Sequence, residues 1–305
     1  MTDIFCADDS VYGSPFSIGN KSYIQHHSTI GDNVTIGDNC LIQSNVVIDD
    51  NVHIKNSVTI KSNVCICKDT IIESGTCVES GTVFISDRLA SSREAGCAKV
   101  GRDVIVGANS TIYPVKIDAN SIIKPGSVVT RDVPHNSIVA GNPAKIIDYV
   151  DTDVANDQKP LSVYGDKKPY ISKTGAIVYS IPTFSDMRGD LSVLEFEQFL
   201  PFSVQRVFYT YNIDTEMVRG EHAHIECKQF LIAIAGSLNV VCDNGFVREE
   251  FVLNTSQKGL YIPPKCWGIQ YKHSKDSVLL VCASMAYDSD DYIREYDEFI
   301  KYINS

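Results

Sequence analysis

The chain has 305 residues, 44% of them hydrophobic, and this length and composition predict a protein of two globular domains. Its 38 acidic and 27 basic residues give a net charge of −11, which argues against nucleic acid as a partner. No stretch approaches the roughly 18 consecutive apolar residues of a membrane span. The N-terminal residues lack the basic and apolar regions of a signal peptide, so we expect a cytoplasmic protein that does not bind a membrane. The ten cysteines show no paired CxxC spacing and are expected to be reduced, without a chemical role.

The first half of the chain repeats every six residues. Ten isoleucines follow one another at this spacing from Ile18 to Ile72, and Val78 and Phe84 continue the series. The residue three places after each of them is often Asn or Gly, which readily adopt positive φ at a tight corner. Since an α-helix repeats every 3.6 residues and a strand every two, a period of six indicates one short strand and one corner per repeat. Such repeats stack as a parallel β-helix with the isoleucines inside.

The repeat is interrupted once. It stops after Phe84 and resumes at Val100, so the polar residues between them are predicted to loop out. A second polar stretch, which contains isolated Pro and Gly, is predicted to be a linker. The pattern therefore divides the chain into a first domain at residues 1–150, a linker at 151–168 and a second domain at 169–305.

The second domain consists of short segments in which apolar and polar residues alternate between turns. These segments are Ile177–Ser180, Leu191–Phe196, Val204–Tyr211, Gln229–Ile234, Ser237–Cys242, Gly259–Ile262 and Ser277–Ala283. Many short strands in so short a domain indicate an antiparallel barrel or jelly roll. The charged segment from Asp291 to Ile300 has helical periodicity. The expected fold class is therefore all-β.

The end of the first domain resembles the closing segment of the left-handed β-helix acyltransferases. The resemblance rests on Gly126–Pro134 and Ile138–Lys145, and it extends over nearly all of residues 10–150. It implies a left-handed parallel β-helix that forms trimers and uses acetyl-CoA as cosubstrate, bound between neighbouring subunits near the last coils. The residues that it implies for acetyl-CoA binding are Ala140, Gly141, Asn142 and Lys145.

The run Phe84–Arg88 resembles the nucleotide-linked 3-amino-sugar N-acetyltransferases. In that branch an F-x-N-D-R segment borders the sugar site, and here Ser86 takes the place of the Asn. The resemblance implies that Asp87 is a catalytic residue that holds the substrate amine. It also implies that Ser86 and His53 contact the sugar nucleotide.

Acetyl transfer to an amine needs a group that accepts the amine proton. Many hexapeptide acyltransferases use a histidine, and His26, His27 and His53 are the candidates here. In the 3-amino-sugar branch the departing CoA sulfur takes the proton instead, and we favour that interpretation. Each histidine is otherwise explained as an exposed corner or interface residue.

The second domain contains two histidines two residues apart. Side chains at positions i and i+2 of a strand point to the same face, so His222 and His224 face one interior. Two imidazoles so placed can bind a metal, transfer protons or form a structural pair. For a metal site Glu226 is in phase, but residues 263–268 offer no histidine and His273 lies five residues further on. We therefore favour proton transfer and expect no metal.

The second domain resembles the small cupins that act as dTDP-4-keto-6-deoxyglucose 3,4-ketoisomerases, which implies a cupin or jelly-roll barrel. The segments that carry the resemblance are Asp186–Leu191, Pro201–Tyr209, Arg219–His224, Gly259–Pro264 and Asp291–Asp297. The family commonly has Lys where this chain has Ile225, and His where it has Gly268. The first departure bears on substrate positioning, and the second removes a possible third imidazole.

The resemblance implies a proton shuttle between two neighbouring sugar carbons. One imidazole removes the C3 proton, which the C4 ketone acidifies, and the enediol is reprotonated at C4. We assign His224 as the base and His222 as its relay or polarising partner. The residues expected to bind the substrate are Arg188, Arg206 and Arg219 at the diphosphate, Tyr209, Tyr261 and Trp267 at the sugar or thymine, and Gln229. Ordinary core packing is the alternative for each aromatic residue.

The two resemblances fit one biosynthetic sequence. A ketoisomerase makes a 3-keto sugar, an aminotransferase converts it to a 3-amine, and the first domain acetylates that amine. No segment of this chain has the size of an aminotransferase, so the middle step is expected in a separate protein. The expected product is a dTDP-linked 3-acetamido-3,6-dideoxyhexose for surface polysaccharide.

Two further expectations concern assembly and the competing function. A homohexamer satisfies both the threefold symmetry of a trimeric β-helix and the twofold symmetry of a dimeric cupin. The alternative function keeps the N-acetyltransferase and makes the cupin a non-catalytic module that binds sugar nucleotides or supports oligomerisation.

Overall fold

The residues that the computed structural model describes are 5–86, 97–155, 169–196 and 200–305. Backbone packing divides the chain into two compact units, one at residues 1–150 and the other at 151–305. Regular structure in both is almost entirely β. In the described ranges, no helix has the length and apolar character needed to cross a membrane.

The first unit is a parallel β-solenoid with three faces. The strands of the first face are Phe5–Cys6, Tyr23–Ile24, Leu41–Ile42, Thr59–Ile60, Cys77–Val78, Ile105–Val106, Ile122–Ile123, Ser137–Ala140 and the antiparallel Lys145–Tyr149. Those of the second are Val11–Tyr12, Thr29–Ile30, Val47–Ile48, Cys65–Ile66, Val83–Phe84, Thr111–Ile112 and Val128–Val129. Those of the third are Phe16–Ile18, Val34–Ile36, His53–Ile54, Ile71–Ile72, Lys99–Val100 and Lys116–Ile117.

The six-residue series forms the core of this unit, as the period predicts. Every member from Ile24 to Ile72 is buried in one continuous apolar cluster. Stacked coils pair in register, for example Leu41 with Thr59. Ile112 and Ile117 are both fully buried although one residue is missing between them, so the corner absorbs the deletion.

The corners carry the residues that tolerate a left-handed backbone. Positive φ occurs at Asn33, Asn39, Asn45, Asn51, Asn63, Gly75 and Gly81. The side chain of Asn51 also donates a hydrogen bond to Asp69 Oδ1 one coil further along, at 3.0 Å. The Asn positions therefore satisfy both the turn and the stacking of successive coils.

The second unit is a cupin-like pair of six-stranded sheets. The strands of the first sheet, in spatial order, are Thr152–Val154, Arg248–Leu253, Leu238–Asp243, Trp267–Tyr271, Arg219–His224 and Tyr292–Ile293. Those of the second are Tyr170–Ile171, Ile177–Ser180, Lys258–Ile262, Gln229–Ala235, Val278–Ala283 and Arg206–Thr210. Thr183–Asp186 and Gly189–Ser192 form a separate hairpin. Leu231, Leu260 and Val240 contribute to an apolar core of this unit.

Two segments differ from the pattern expected from the sequence. The stretch predicted as a linker begins with a strand, Thr152–Val154, which pairs in parallel with Arg248–Leu253 and so belongs to the second unit; residues 156–168 lie outside the described residues. The C-terminal α-helix spans Tyr296–Ile303 rather than starting at Asp291, because Tyr292–Ile293 is held extended by pairing with the strand that carries His224.

Candidate active site

A backbone irregularity marks the strand that carries the two histidines. Strand Arg219–His224 pairs with Trp267–Tyr271, but the register shifts between Gly220 and His222. Glu221, at this shift, has φ of 52°, which is unusual for a residue with a side chain. Bulges of this kind change the direction of neighbouring side chains and are frequent beside active sites.

His222 and His224 lie together, as the i, i+2 spacing predicts. Their ring centroids are 5.0 Å apart and the rings are nearly perpendicular. The ring of Tyr292 contacts both, with centroids 4.9 Å from His222 and 4.4 Å from His224. Three rings from two paired strands thus pack together, and the two histidines among them line a common cavity.

Both nitrogens of the His224 ring are hydrogen-bonded. Nδ1 lies 2.7 Å from Asp291 Oδ2 and donates to it, since a carboxylate can only accept. Nε2 then carries the lone pair and lies 2.9 Å from Gln229 Nε2, whose amide donates to it. Asp291 is itself fixed by the backbone N–H groups of Glu226, at 2.7 Å, and Cys227, at 3.3 Å. A buried carboxylate therefore sets the tautomer of His224.

The ring of His222 is held from one side only. Its Nδ1 lies 2.9 Å from the carbonyl oxygen of Gly220 and donates to it. Within the described ranges no hydrogen bond to its Nε2 is found. Nε2 thus carries a lone pair that a substrate proton can reach.

Burial keeps both imidazoles neutral. Burial lowers the pKa of His222 to about 4. The pKa of His224 is also lowered, chiefly by burial, although the hydrogen bond to Asp291 and its negative charge oppose the shift. Because both rings are uncharged at neutral pH, either can accept a proton.

The two rings line a small cavity of about 10 Å³, room for about one water molecule. Other residues that line it are Cys227, Gln229, Gly268 and Gln270. The space beside the two imidazoles is therefore small.

One group of side chains in the described ranges has the donors of a metal site. The ligand atoms of His224, Cys227 and Asp291 all lie within 4.8 Å of one another and are buried. Nitrogen, sulfur and oxygen donors of this kind suit zinc. Here His224 and Asp291 are hydrogen-bonded to each other, and the expectation that this site holds no metal stays a prediction.

Of the arginines predicted to bind the diphosphate, Arg206 packs against aromatic rings, whereas Arg188 is exposed. The guanidinium of Arg206 lies over the rings of Phe208 and Tyr287, and its charge lowers the pKa of His224, which places it near the histidines. Arg188 is exposed and paired with Asp186.

The third predicted arginine begins the strand that carries the two histidines. Arg219 is exposed; burial lowers the pKa of His273, and the charge of Arg219 lowers it further. Neither His273 nor Arg219 is among the residues that line the cavity.

The predicted aromatic residues do not line the cavity. Gly268 and Gln270 face it, so by strand alternation Trp267 points to the other face, where it packs on Tyr296 at 5.3 Å. Tyr209 is 62% exposed on an edge strand. Tyr261 packs on Phe202, a member of a second apolar cluster. None of these three side chains lines the cavity, and their contact with the sugar or thymine stays a prediction.

Sequence reasoning also missed residues that the structure brings to the histidines. Asp291 and Tyr292 contact the rings, and Arg294 lies 4.3 Å over the ring of Tyr292. The segment Asp291–Asp297 was prominent in the sequence, but its helical periodicity concealed the extended residues at its start. The sequence signal that could have identified these site residues is the close spacing of Asp291, Tyr292 and Arg294.

In the first unit the predicted residues lie outside the core or outside the described residues. Asp87 falls outside the described residues, and Ser86, just before it, is exposed. His53 projects outward, and its Nδ1 lies 2.8 Å from Thr35 Oγ1. His26 is exposed, with its Nδ1 3.0 Å from Asp9 Oδ2.

Two further groups of predicted residues lie at the solenoid surface. His27 shares the Asp9 carboxylate, with its Nδ1 at 3.3 Å from Oδ2. Ala140 to Lys145 form the turn between the last two strands of the first face. There Gly141 has φ of 103° and its carbonyl accepts a hydrogen bond from the Val128 N–H at 2.9 Å. The turn is thus attached to the last coil.

Three family models match the chain. Residues 174–304 match the family described as WxcM-like, C-terminal. Residues 17–50 match the bacterial transferase hexapeptide (six repeats), and residues 98–131 match the hexapeptide repeat of succinyl-transferase.

Two curated relatives represent the two units. The chain is 42% identical over 118 residues to the TDP-4-oxo-6-deoxy-alpha-D-glucose-3,4-oxoisomerase of Aneurinibacillus thermoaerophilus, a match that covers 39% of this chain and 85% of that protein. It is 54% identical over 50 residues to the 2,3,4,5-tetrahydropyridine-2,6-dicarboxylate N-acetyltransferase of Clostridium perfringens, covering 16% of this chain and 21% of that protein. The chain thus spans about a fifth of that acetyltransferase.

Among solved structures, a 3,4-ketoisomerase from Helicobacter canadensis is 35% identical with a TM-score of 0.42, covering 43% of this chain and 98% of that one. The family model and the oxoisomerase relative both fall on the unit that holds His222 and His224. The chain therefore belongs to the WxcM-like family through its second unit, joined to a first unit of bacterial transferase hexapeptide repeats.

Proposed function

We propose that the chain is a bifunctional enzyme of nucleotide-sugar metabolism. The second unit isomerises dTDP-4-keto-6-deoxyglucose to its 3-keto isomer, and the first transfers the acetyl group of acetyl-CoA to the amine of a dTDP-3-amino-3,6-dideoxyhexose. The observation that carries the proposal is the pair of neutral imidazoles in one cavity, with His224 held by Asp291. It lies in the unit that is 42% identical to a sugar oxoisomerase.

The isomerisation needs only the movement of protons. The C3–H bond breaks and its electrons form the C3–C4 double bond, while O4 takes a proton. The resulting enediol then accepts a proton at C4 and loses one from O3. No oxidant or reductant is consumed, so one group that accepts a proton and one that donates a proton are sufficient.

The hydrogen bonds favour the reverse of the division of roles expected from the sequence. The His224 lone pair is engaged by Gln229, whereas Nε2 of His222 has no hydrogen bond within the described ranges. We therefore propose that His222 moves the proton between C3 and C4. His224, coupled to Asp291, exchanges protons with the sugar oxygens.

Cationic groups near the imidazoles support an anionic substrate. The positive charges of Arg206 and Arg294 both lower the pKa of His224, and that of Arg294 also lowers the pKa of His222. A guanidinium suits the diphosphate of a nucleotide sugar. These two arginines are the proposed diphosphate ligands, with Gln229 at the sugar.

Proton NMR of dTDP-4-keto-6-deoxyglucose with the protein in D2O tests the isomerase. We expect the 3-keto isomer, with deuterium at C4 in those molecules for which the proton held by His222 exchanged with D2O before reprotonation. The His224→Asn variant should isomerise the sugar nucleotide more slowly but keep the acidic limb of the pH–rate profile. The His222→Asn variant should not isomerise it. An unchanged spectrum with folded wild-type protein would refute the isomerase proposal.

The acetyltransferase half rests on the solenoid and its repeats. The hexapeptide repeats match transferase models at both ends of the solenoid. We propose that acetyl-CoA binds at the closing turn that contains Gly141, and that Ser86, Asp87 and His53 form the sugar side of the site. Release of CoA thiol upon adding a dTDP-3-amino-3,6-dideoxyhexose tests this half, and the 3-hydroxy sugar is the matched control.

The two products define the reaction that must connect them. A 3-keto sugar becomes a 3-amino sugar by amino-group transfer, which we assign to a separate aminotransferase. The trimer of the solenoid, the dimer of the cupin and the resulting homohexamer are part of the proposal. Light scattering of the intact chain measures the assembly.

The alternative function is a cupin that binds the sugar nucleotide without reaction. The small cavity of about 10 Å³ favours it, because a hexose enters only partly. In that case the NMR spectrum stays unchanged while nucleotide-sugar binding is measurable by calorimetry.

A further inference from the structure

We infer that Tyr292 is a positioning residue of the proposed isomerase. Its ring fixes the two imidazoles against each other and sets their distance from the guanidinium of Arg294. This role rests on the proposed function of the second unit, in which His222 moves the proton and Arg294 binds the diphosphate.

Strand pairing brings Tyr292 to the histidines. Tyr292 pairs directly with His224 across two antiparallel strands. Side chains directly opposite each other in such a pair lie on one face, and a diagonal neighbour two residues along is still within reach of an aromatic ring. His222 holds that diagonal position. The ring of Tyr292 therefore meets both imidazoles, with centroids 4.4 Å from His224 and 4.9 Å from His222.

His222 needs this contact because little else holds its ring. Its Nδ1 donates one hydrogen bond, to the carbonyl oxygen of Gly220 at 2.9 Å, and in the described part of the chain no hydrogen bond to its Nε2 is found. The strand on its other side presents Gly268, which has no side chain. A ring held by one hydrogen bond can still tilt about it. The packing of Tyr292 and His224 against the ring of His222 limits that tilt.

Tyr292 is itself held by a cation. The guanidinium carbon of Arg294 lies 4.3 Å from the centroid of the Tyr292 ring, close enough for a cation–π contact. A guanidinium can stack on a ring through its face and bind a phosphate through its edge. One aromatic ring thus joins the proposed diphosphate ligand to the imidazole pair.

The titration of His222 depends on the same contact. The pKa of His222 is lowered to about 4, chiefly by burial, and His224 on its own strand and Arg294 beyond Tyr292 contribute to the shift. The strand on the other side presents the uncharged Gly268. The other ionisable side chains that line the cavity are the thiols of Cys227 and Cys266. Without the ring of Tyr292 water reaches His222, so the pKa of His222 should rise toward its usual value of about 6.5.

Tyr292→Leu and Tyr292→Phe in the full-length protein test this role. We expect the kcat of isomerisation to fall by about 10- to 100-fold in the Leu variant, because a small misplacement of a reacting group can cost that much. The acidic limb of its pH–rate profile should move to higher pH. Tyr292→Phe keeps the ring and should retain most of the wild-type kcat. Wild-type kcat in the Leu variant, or an equal loss in the Phe variant, would overturn the inference.

NMR titration of the histidine rings separates this inference from the isomerase proposal, since it needs no turnover. The signal of His222 is identified by its absence in His222→Asn. Its midpoint should lie near 4 in wild type and in Tyr292→Phe, and at higher pH in Tyr292→Leu. Tyr302→Leu is the matched control, because it removes a ring that lies under Lys265 and outside the cavity. If wild type does not convert the sugar nucleotide, the isomerase fails and the titration still decides the role of Tyr292. An unchanged midpoint in a folded Leu variant would refute it.

Discussion

The two units place their titratable groups in opposite ways. In the solenoid the inward positions hold apolar residues or small hydroxyl side chains, and His26, His27 and His53 lie outside and contact exposed partners. In the cupin His224 and Asp291 are only 6% and 8% exposed, inside the unit and hydrogen-bonded to each other. In the solenoid these three histidines thus lie on the outer surface, whereas in the barrel the two titratable side chains are buried.

This difference has consequences for what a single substitution does. A polar group on the solenoid surface is solvated with or without its partner, so the loss of one partner costs little. A buried imidazole depends on specific neighbours, because an unpaired polar group inside a protein is costly. Substitutions inside the barrel are therefore expected to have larger effects than substitutions on the solenoid surface.

The largest effect is expected from the imidazole pair. His222→Asn should reduce isomerase kcat by roughly 10³-fold, within the range for loss of a general base. The matched control is His273→Gln, a buried histidine of the same unit that does not line the cavity. The emission of Trp267, the one tryptophan of the chain, reports folding of this unit. Equal losses in both variants would contradict the assignment.

Acid should destabilise the barrel through His222. This ring titrates near 6.5 when unfolded and at about 4 when folded, so the unfolded chain binds the extra proton between these values. Stability therefore falls as the pH is lowered through this window, by about 3 kcal/mol from this group. Denaturant unfolding followed by Trp267 emission measures it, and His222→Gln should flatten the slope. An unchanged slope in that variant would show that other groups cause the acid sensitivity.

Asp291→Asn should lower isomerase kcat by about 10- to 100-fold, the usual range for loss of a group that orients a reactive histidine. The carboxylate raises the pKa of His224, so its removal should move the part of the pH profile that depends on His224 to lower pH. A rate loss without movement of the profile would indicate a structural role only.

The smallest effect is expected at the corners of the solenoid. Asn45 has φ of 59°, so Asn45→Ala should lower the free energy of unfolding by about 1 kcal/mol. Asn45→Gly should cost less, since glycine adopts this φ freely. Calorimetry of the solenoid transition measures both variants. Equal stability of the Ala and Gly variants would remove the conformational explanation of the Asn series.

The sequence could predict the solenoid because each repeat is determined locally. The six-residue series alone identifies a buried column from Ile24 to Phe84, and its Asn and Gly positions identify many of the corners. The barrel is different. His224 and Asp291 are 67 residues apart, and no local pattern shows that their strands are neighbours.

For the site residues too, local sequence patterns predict the features set within one strand but not those set by pairing between distant strands. The spacing of His222 and His224 was sufficient to place both on one face, because strand alternation is local. The position of Trp267 depends on which face of its own strand meets the cavity, and that follows from pairing with Arg219–His224. The bulge at Glu221 has no signal in the residue types.

The most direct test of the account is to measure both reactions on one preparation of the His224→Asn protein. Isomerisation of dTDP-4-keto-6-deoxyglucose and acetyl transfer to a dTDP-3-amino-3,6-dideoxyhexose are each compared with wild type. We predict that isomerisation falls by roughly 10²-fold or more while acetyl transfer stays within about twofold, because the two chemistries belong to different units. Loss of both reactions together, or of neither, would contradict the account.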